Sequence, residues 1–259
     1  MRVPSLRESI REDGLRVITK RMPLMKKIRL AVVGLVGTAY DTLYQLNGLF
    51  HFFEHTAFDG TETRTAEDID IFADTYLDMT NAYTEPLLTN YYGEALHVRF
   101  NELCNFIFDA YLHSTYPENE LKKERGAIKG EIRGSLDDDS HQVYFALHRM
   151  LWKKNPLRRM GVRGTIGDIK KVSRELLLQI KEQWLVPSNT VIIGTGRINH
   201  DELVRNAYRA FPFNKVIVSH PIWDLEFPDP PIKIRTLISR PGRKNALIFA
   251  SVFHPRTFR

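Results

Sequence analysis

Residues 51–55 read His-Phe-Phe-Glu-His and form the most informative stretch of the chain. On a helix, His51 and His55 lie one turn apart on one face, so both imidazoles can reach a single metal ion. Glu54, three residues after His51, falls on the same side, where its carboxylate can touch a water held by that metal. The order His-x-x-Glu-His reverses the commoner His-Glu-x-x-His arrangement of zinc sites. Zinc lowers the pKa of its water toward neutrality and polarises a carbonyl, and a neighbouring carboxylate can take the proton. The chemistry expected is metal-assisted hydrolysis. Phe50, Phe52 and Phe53 would pack such a helix into a core and turn the His/Glu side toward a cavity. A bare glutamate buried between two histidines would be costly without a metal or partner.

A catalytic zinc takes three protein ligands and keeps a position for water, so a third donor must come from elsewhere. His97, His113, His148, His200, His220 and His254 each stand alone, and His141 follows Asp137-Asp138-Asp139, a loose acidic cluster that also reads as a solvated turn. Glu124 and Glu131 are better placed. They are seven residues apart on a predicted helix, two turns, so both carboxylates point the same way. On spacing alone, exposed surface acids are the commoner explanation of such a pair.

The elements that must position these residues can be read from periodicity. Residues 15–20 and 28–36 read as strands, with Met22-Pro23 as the break between them, and residues 48–58 as the helix carrying the histidines. Thr65 and Asp68 fit a capping box ahead of Ile69, Phe72, Ala73 and Tyr76. Residues 80–92 have a β-like pattern with a bend at Pro86, residues 94–111 repeat at helical spacing, and Pro117 opens a long helix with an interruption expected at Gly134-Ser135. Helices are also expected over 143–152, 173–184 and 200–211, a strand over 190–193, and a basic loop over 155–164. A proline-rich linker at 227–231 precedes two strand-like runs, 232–239 and 246–253. The pattern predicts an α+β fold: one metal-binding peptidase domain over 1–219, then a linker and the first strands of an incomplete second domain over 220–259.

Composition narrows the function classes. At 43% hydrophobic and 26% charged, the 259-residue chain can bury a sizeable core. The net charge of +6 comes from basic residues scattered among acids, so a solvated surface is expected rather than a nucleic-acid site. Cys104 is the only cysteine and sits in an apolar run, which excludes an internal disulfide and marks a buried structural thiol. No run of about 18 apolar residues exists, so no membrane span is expected. The charged residues 1–21 lack the apolar core of a signal peptide, and a cytoplasmic location is expected.

Several segments, taken in order, resemble the pitrilysin or insulinase family of inverzincin metallopeptidases, which includes the mitochondrial processing peptidases. Gly48 through His55 is similar to that family's Gly-x-x-His-x-x-Glu-His helix, and Phe58-Asp59-Gly60-Thr61 to its Phe-Lys-Gly-Thr turn. Asn81-Ala82-Tyr83-Thr84 resembles its Asn-Ala-Tyr-Thr strand, and Glu124 through Glu131 its Glu-Arg-x-x-Ile-x-x-Glu helix. Gly164-Thr165 and Trp184 through Asn189 match later landmarks.

The resemblance implies one Zn²⁺ per chain, bound by His51, His55 and Glu131. It makes Glu54 the general base and Glu124 an outer acid that supports the site. The strand Asn81, Ala82, Tyr83 and Thr84 would pair with an extended peptide or unfolded polypeptide substrate. The implied activity is that of a zinc endopeptidase, and the implied fold is one half of a two-half clamshell. The other half, with an Arg-Tyr pair that assists catalysis, would come from a homodimer or a second subunit. A non-catalytic subunit of the same fold is the alternative, although such subunits usually lose the metal residues, and all four are present here. The chain departs from the family at Thr56, where Met is frequent, and at Asp59, where Lys is usual.

Overall fold

Six strands build the frame of the protein in the computed structural model, which describes residues 6–151, 164–220, 233–238 and 246–251. They are β1 (Leu6–Ile10), β2 (Arg16–Arg21), β3 (Lys27–Gly34), β4 (Met79–Thr84), β5 (Thr89–Leu96) and β6 (Thr190–Gly196). The sheet order is β1-β2-β6-β3-β5-β4, and every neighbouring pair is antiparallel except β2 with β6. The helices are α1 (Asp41–Tyr44), α2 (Leu49–His55), α3 (Ala66–Tyr76), α4 (Phe100–His113), α5 (Glu118–Asp137), α6 (Asp139–Leu151), α7 (Ile166–Ile169), α8 (Arg174–Trp184) and α9 (His200–Ala210). A second, two-stranded antiparallel sheet pairs β7 (Lys233–Ile238) with β8 (Ala246–Ser251). This is the α+β class read from the sequence, a mixed and mostly antiparallel sheet packed with helices.

Close packing puts the helices against one face of the sheet. A Cβ on Gly93 would lie 2.8 Å from Leu103 Cδ1 of α4, and one on Gly194 would lie 2.8 Å from Leu203 Cδ2 of α9. The face shared by Gly93 and Gly194 also carries Val17, Ile28, Leu30, Val32, Tyr91 and Ile192, all buried. Tyr111 of α4 reaches the same layer and shares a 2.8 Å hydrogen bond with Thr190 Oγ1. Among the described residues no helix is long and apolar enough to cross a membrane.

Four local expectations change. Strand β1 was not foreseen, because its exposed, charged sequence has no alternation toward a core. Residues 80–92 form a hairpin of two strands, with the chain reversing at residues 85–88. Glu94 belongs to β5, and the helix expected from that point starts at Phe100. Helix α5 continues through Gly134-Ser135: the Ser135 hydroxyl donates to Ile132 O at 2.9 Å, and the Asp138 N–H donates to Gly134 O at 3.0 Å. The capping box forms as read, with Thr65 and Asp68 each accepting the other's backbone N–H. Most of the basic loop and the whole proline-rich stretch lie outside the described residues.

Candidate metal centre

The site starts from how α2 is held. Leu49, Phe50, Phe52 and Phe53 are fully buried, which leaves His51, Glu54 and His55 together on the other side of the helix. Its first turn would strand backbone N–H groups in the interior. The buried carboxylate of Asp41, on the preceding helix α1, accepts them instead, from Gly48 N at 2.6 Å and Phe50 N at 3.0 Å. Asp168 Oδ2 accepts both the backbone N–H and the side-chain amide of Asn47, at 3.3 and 2.7 Å. Gly48 takes φ +84° to make this entry, and Gly164, at φ +107°, comes so close that a Cβ there would lie 2.6 Å from Asn47 O. At the other end, the buried Thr56 hydroxyl donates to Phe52 O at 3.1 Å. The substitution of Thr for the family's Met thus adds a hydrogen bond to the helix end.

His51, Glu54, His55 and Glu131 lie together in the structure. His51 Nε2 and His55 Nε2 are 3.1 Å apart. Each lies 3.6 Å from a different oxygen of Glu131, which reaches over from α5. Donor atoms of His51, Glu54 and His55 all lie within 4.8 Å of one another. Tetrahedral zinc with bonds of about 2.0–2.2 Å needs donors roughly 3.3–3.6 Å apart. The two 3.6 Å separations fit that requirement and the 3.1 Å one falls slightly short of it, with two imidazole nitrogens and the Glu131 carboxylate as the donor set. Glu124, also on α5, accepts the His55 Nδ1–H at 3.1 Å, which leaves Nε2 as the lone-pair nitrogen facing Glu131. Burial disfavours the charged form of His55, but the hydrogen bond to Glu124 and the charges of Glu54, Glu131 and Glu124 outweigh it and raise its pKa. Arg125 of α5 lies near α2, its guanidinium 5.8 Å over the Phe52 ring, and its Nη2 donates to Val172 O at 2.7 Å.

Asp59, in the family's lysine position, changes the charge beside this centre. Burial, then the charges of Glu124 and Glu120, push its carboxyl up to about 7.

His51, Glu54, His55 and Glu131 open into a cleft of about 670 Å³. One wall is β4, at the edge of the sheet, with Asn81, Ala82, Tyr83 and Thr84 all lining the cleft. Thr84 Oγ1 donates to Phe50 O at 3.3 Å and ties this strand to α2. The opposite wall brings in His141, Tyr144 and Phe145 from α6, which the sequence reading left as a solvated turn and an ordinary helix. Asp41 and Asp168 were likewise missed. Both are single acids outside the motif, and Asp168 meets its partner from 121 residues away.

A helix backed by a mixed, mostly antiparallel sheet presents two histidines and a glutamate to two acids of a second helix, all within an α+β domain. The chain belongs to the insulinase family, peptidase family M16, whose model matches residues 16–163. Among its relatives, an uncharacterized zinc protease of Rickettsia bellii is 30% identical over 77% of this chain and 48% of that protein. The β subunit of the mitochondrial-processing peptidase of Bos taurus is 29% identical over 85% of this chain and 44% of that protein. The chain therefore spans about half the length of the curated relatives it matches. Its fold is similar to that of the periplasmic protease PqqL from Escherichia coli, with a TM-score of 0.77 at 20% identity over 87% of this chain and 26% of that one.

Proposed function

We propose that the protein is the metal-bearing part of a zinc endopeptidase acting on peptides or unfolded segments. The observation that carries this reading is the convergence of His51 Nε2, His55 Nε2 and the Glu131 carboxylate, 3.1–3.6 Å apart, close to the donor spacing around one tetrahedral zinc. Zinc, when bound, supplies Lewis acidity toward a water and a scissile carbonyl. Glu54 takes the proton of the attacking water and returns it to the leaving amine. Glu124 holds the His55 ring in one tautomer, and β4 aligns the substrate as an added strand along Asn81 to Thr84. Asn81 Oδ1 accepts the Ala82 N–H at 2.8 Å, a contact that an incoming peptide carbonyl can replace. Because the relatives are about twice as long, a second half, from another subunit or a second copy, completes the enclosure.

Zinc content and peptide cleavage test the reading together. The purified chain should hold close to one zinc, and so should Glu54→Gln, while cleavage should be lost with a chelator and in Glu54→Gln. A chain that takes up well under half an equivalent of zinc would sink the proposal, as would cleavage that survives Glu54→Gln.

A further inference from the structure

Residues 211–220 follow α9 without helix or strand and form a strap over elements distant in the sequence. Phe211 is buried, but Phe213, Val216 and Ile217 are exposed, so burial alone does not hold the strap. Polar anchors do. Arg11 Nη1 donates to Phe211 O at 2.9 Å and its Nη2 to Pro212 O at 3.2 Å. Asp13 Oδ2 accepts the Asn214 N–H at 3.1 Å, and Ser188 Oγ donates to Val216 O at 2.6 Å. At the far end, His220 Nδ1 and the Tyr40 hydroxyl share a 2.6 Å hydrogen bond. Burial lowers the pKa of His220 and raises that of Tyr40, so a neutral phenol meets a neutral imidazole.

Tyr40 is where the strap meets the support of the metal helix. Its ring lies 6.1 Å from Phe50 of α2 and 4.9 Å from Trp184, edge-on to both. Tyr44 also meets Phe50, at 6.0 Å, and its hydroxyl accepts the Trp184 Nε1–H at 2.7 Å. The His220 ring, 6.0 Å from Tyr40 and 6.1 Å from Trp184, completes this aromatic box. Phe50 precedes His51, and Asp41, the acceptor for the Gly48 and Phe50 N–H groups, follows Tyr40. We infer that His220 and Tyr40 are positioning residues for the metal centre: the attached strap fixes Tyr40 against Phe50 and so fixes the helix that presents His51 and His55. Anchors of single hydrogen bonds open more readily than a core. The inference rests on the zinc reading and adds a means of regulation to it, since whatever lifts the strap loosens α2.

The test reads two quantities in each variant: zinc affinity, by competition with a chelating dye, and amide exchange in the zinc-free chain, by NMR. His220→Ala should weaken zinc binding about threefold and speed exchange of the Gly48 and Phe50 amides about fivefold, with the Tyr91 amide of β5 unchanged. His220→Asn, which keeps an acceptor near the Nδ1 position, should restore both. Tyr40→Phe should match His220→Ala, and the double variant should be no worse than either single one. If His220→Ala does not fold, Ser188→Ala, which frees the strap at Val216, should change both quantities in the same direction. Unchanged affinity and exchange, no rescue by asparagine, or additive losses in the double variant overturn the inference. A parent chain that takes up no zinc sinks the peptidase reading, and the exchange rates then decide on the strap alone.

Discussion

Helix α2 buries four of its seven residues, whereas α5, which brings Glu131 and Glu124 to the same place, buries four of twenty. The first is clamped at its entry by two carboxylates and surrounded by phenylalanines. The second rests on a narrow apolar stripe, and its Gly126, Gly130 and Gly134 have no neighbouring atom within 4 Å of where a Cβ would sit. One jaw of the site is fixed by the core and the other is free to adjust. A metal ion joining them would therefore order α5 more than α2.

Breaking the fixed jaw should produce the largest effect. Asp41→Ala leaves two buried N–H groups without their acceptor and should cost about 2–3 kcal/mol in urea unfolding, with weaker zinc uptake. A loss no larger than that of an exposed acid would mean that Asp41 does not hold α2. Between the jaws, burial and the neighbouring glutamates push the Asp59 carboxyl up to about 7 when folded, against an ordinary value of 3.8. A raised acid pKa favours folding at low pH, and that advantage disappears as pH rises through the folded value. Asp59→Asn should thus stabilise the metal-free chain at pH 8 by about 1–2 kcal/mol, a figure reduced for partial solvation, and leave pH 4 stability unchanged. A thermal-melt series across pH checks this, and a pH-independent difference would contradict it.

Smaller effects belong to the adjustable jaw. Gly130→Ala should raise stability by about 0.5–1 kcal/mol, since it adds helix propensity and meets nothing. A decrease in the denaturation midpoint would show that α5 needs flexibility or close approach at that position. Glu124→Gln should lower the His55 titration midpoint in the metal-free protein, because it removes the hydrogen bond that helps hold the imidazole charged. An unchanged midpoint in an NMR titration would remove Glu124 from contact with His55.

The two helices were also unequally legible. His51, Glu54 and His55 could be placed from spacing alone, because one turn of helix fixes their relation. Glu131 could not, since two acids seven apart on a polar helix look the same whether they face solvent or a metal, and only resemblance to a family singled it out. The clamp was invisible because Asp41 acts through backbone N–H groups that carry no sequence signal, and Asp168 meets Asn47 from 121 residues away. The β5–α4 boundary was misplaced where Glu94, Ala95 and Leu96 satisfy both periodicities, and β1 was missed because an edge strand needs no buried side. The apolar run of β3, read as a buried strand, is buried at Ile28, Leu30, Val32 and Val33 and partly exposed at Ala31.

The place of β6 has a consequence for the order of folding. It lies between β2 and β3, pairing with both, yet it follows them by well over a hundred residues. Until residues 190–196 have been made, β2 and β3 lack their common neighbour, and the sheet exists as two fragments with open edges. Contacts of such long range slow folding and lengthen the time those edges are exposed. The helix bearing the two histidines is synthesised early, but the frame that holds it is closed by the last strand of the sheet.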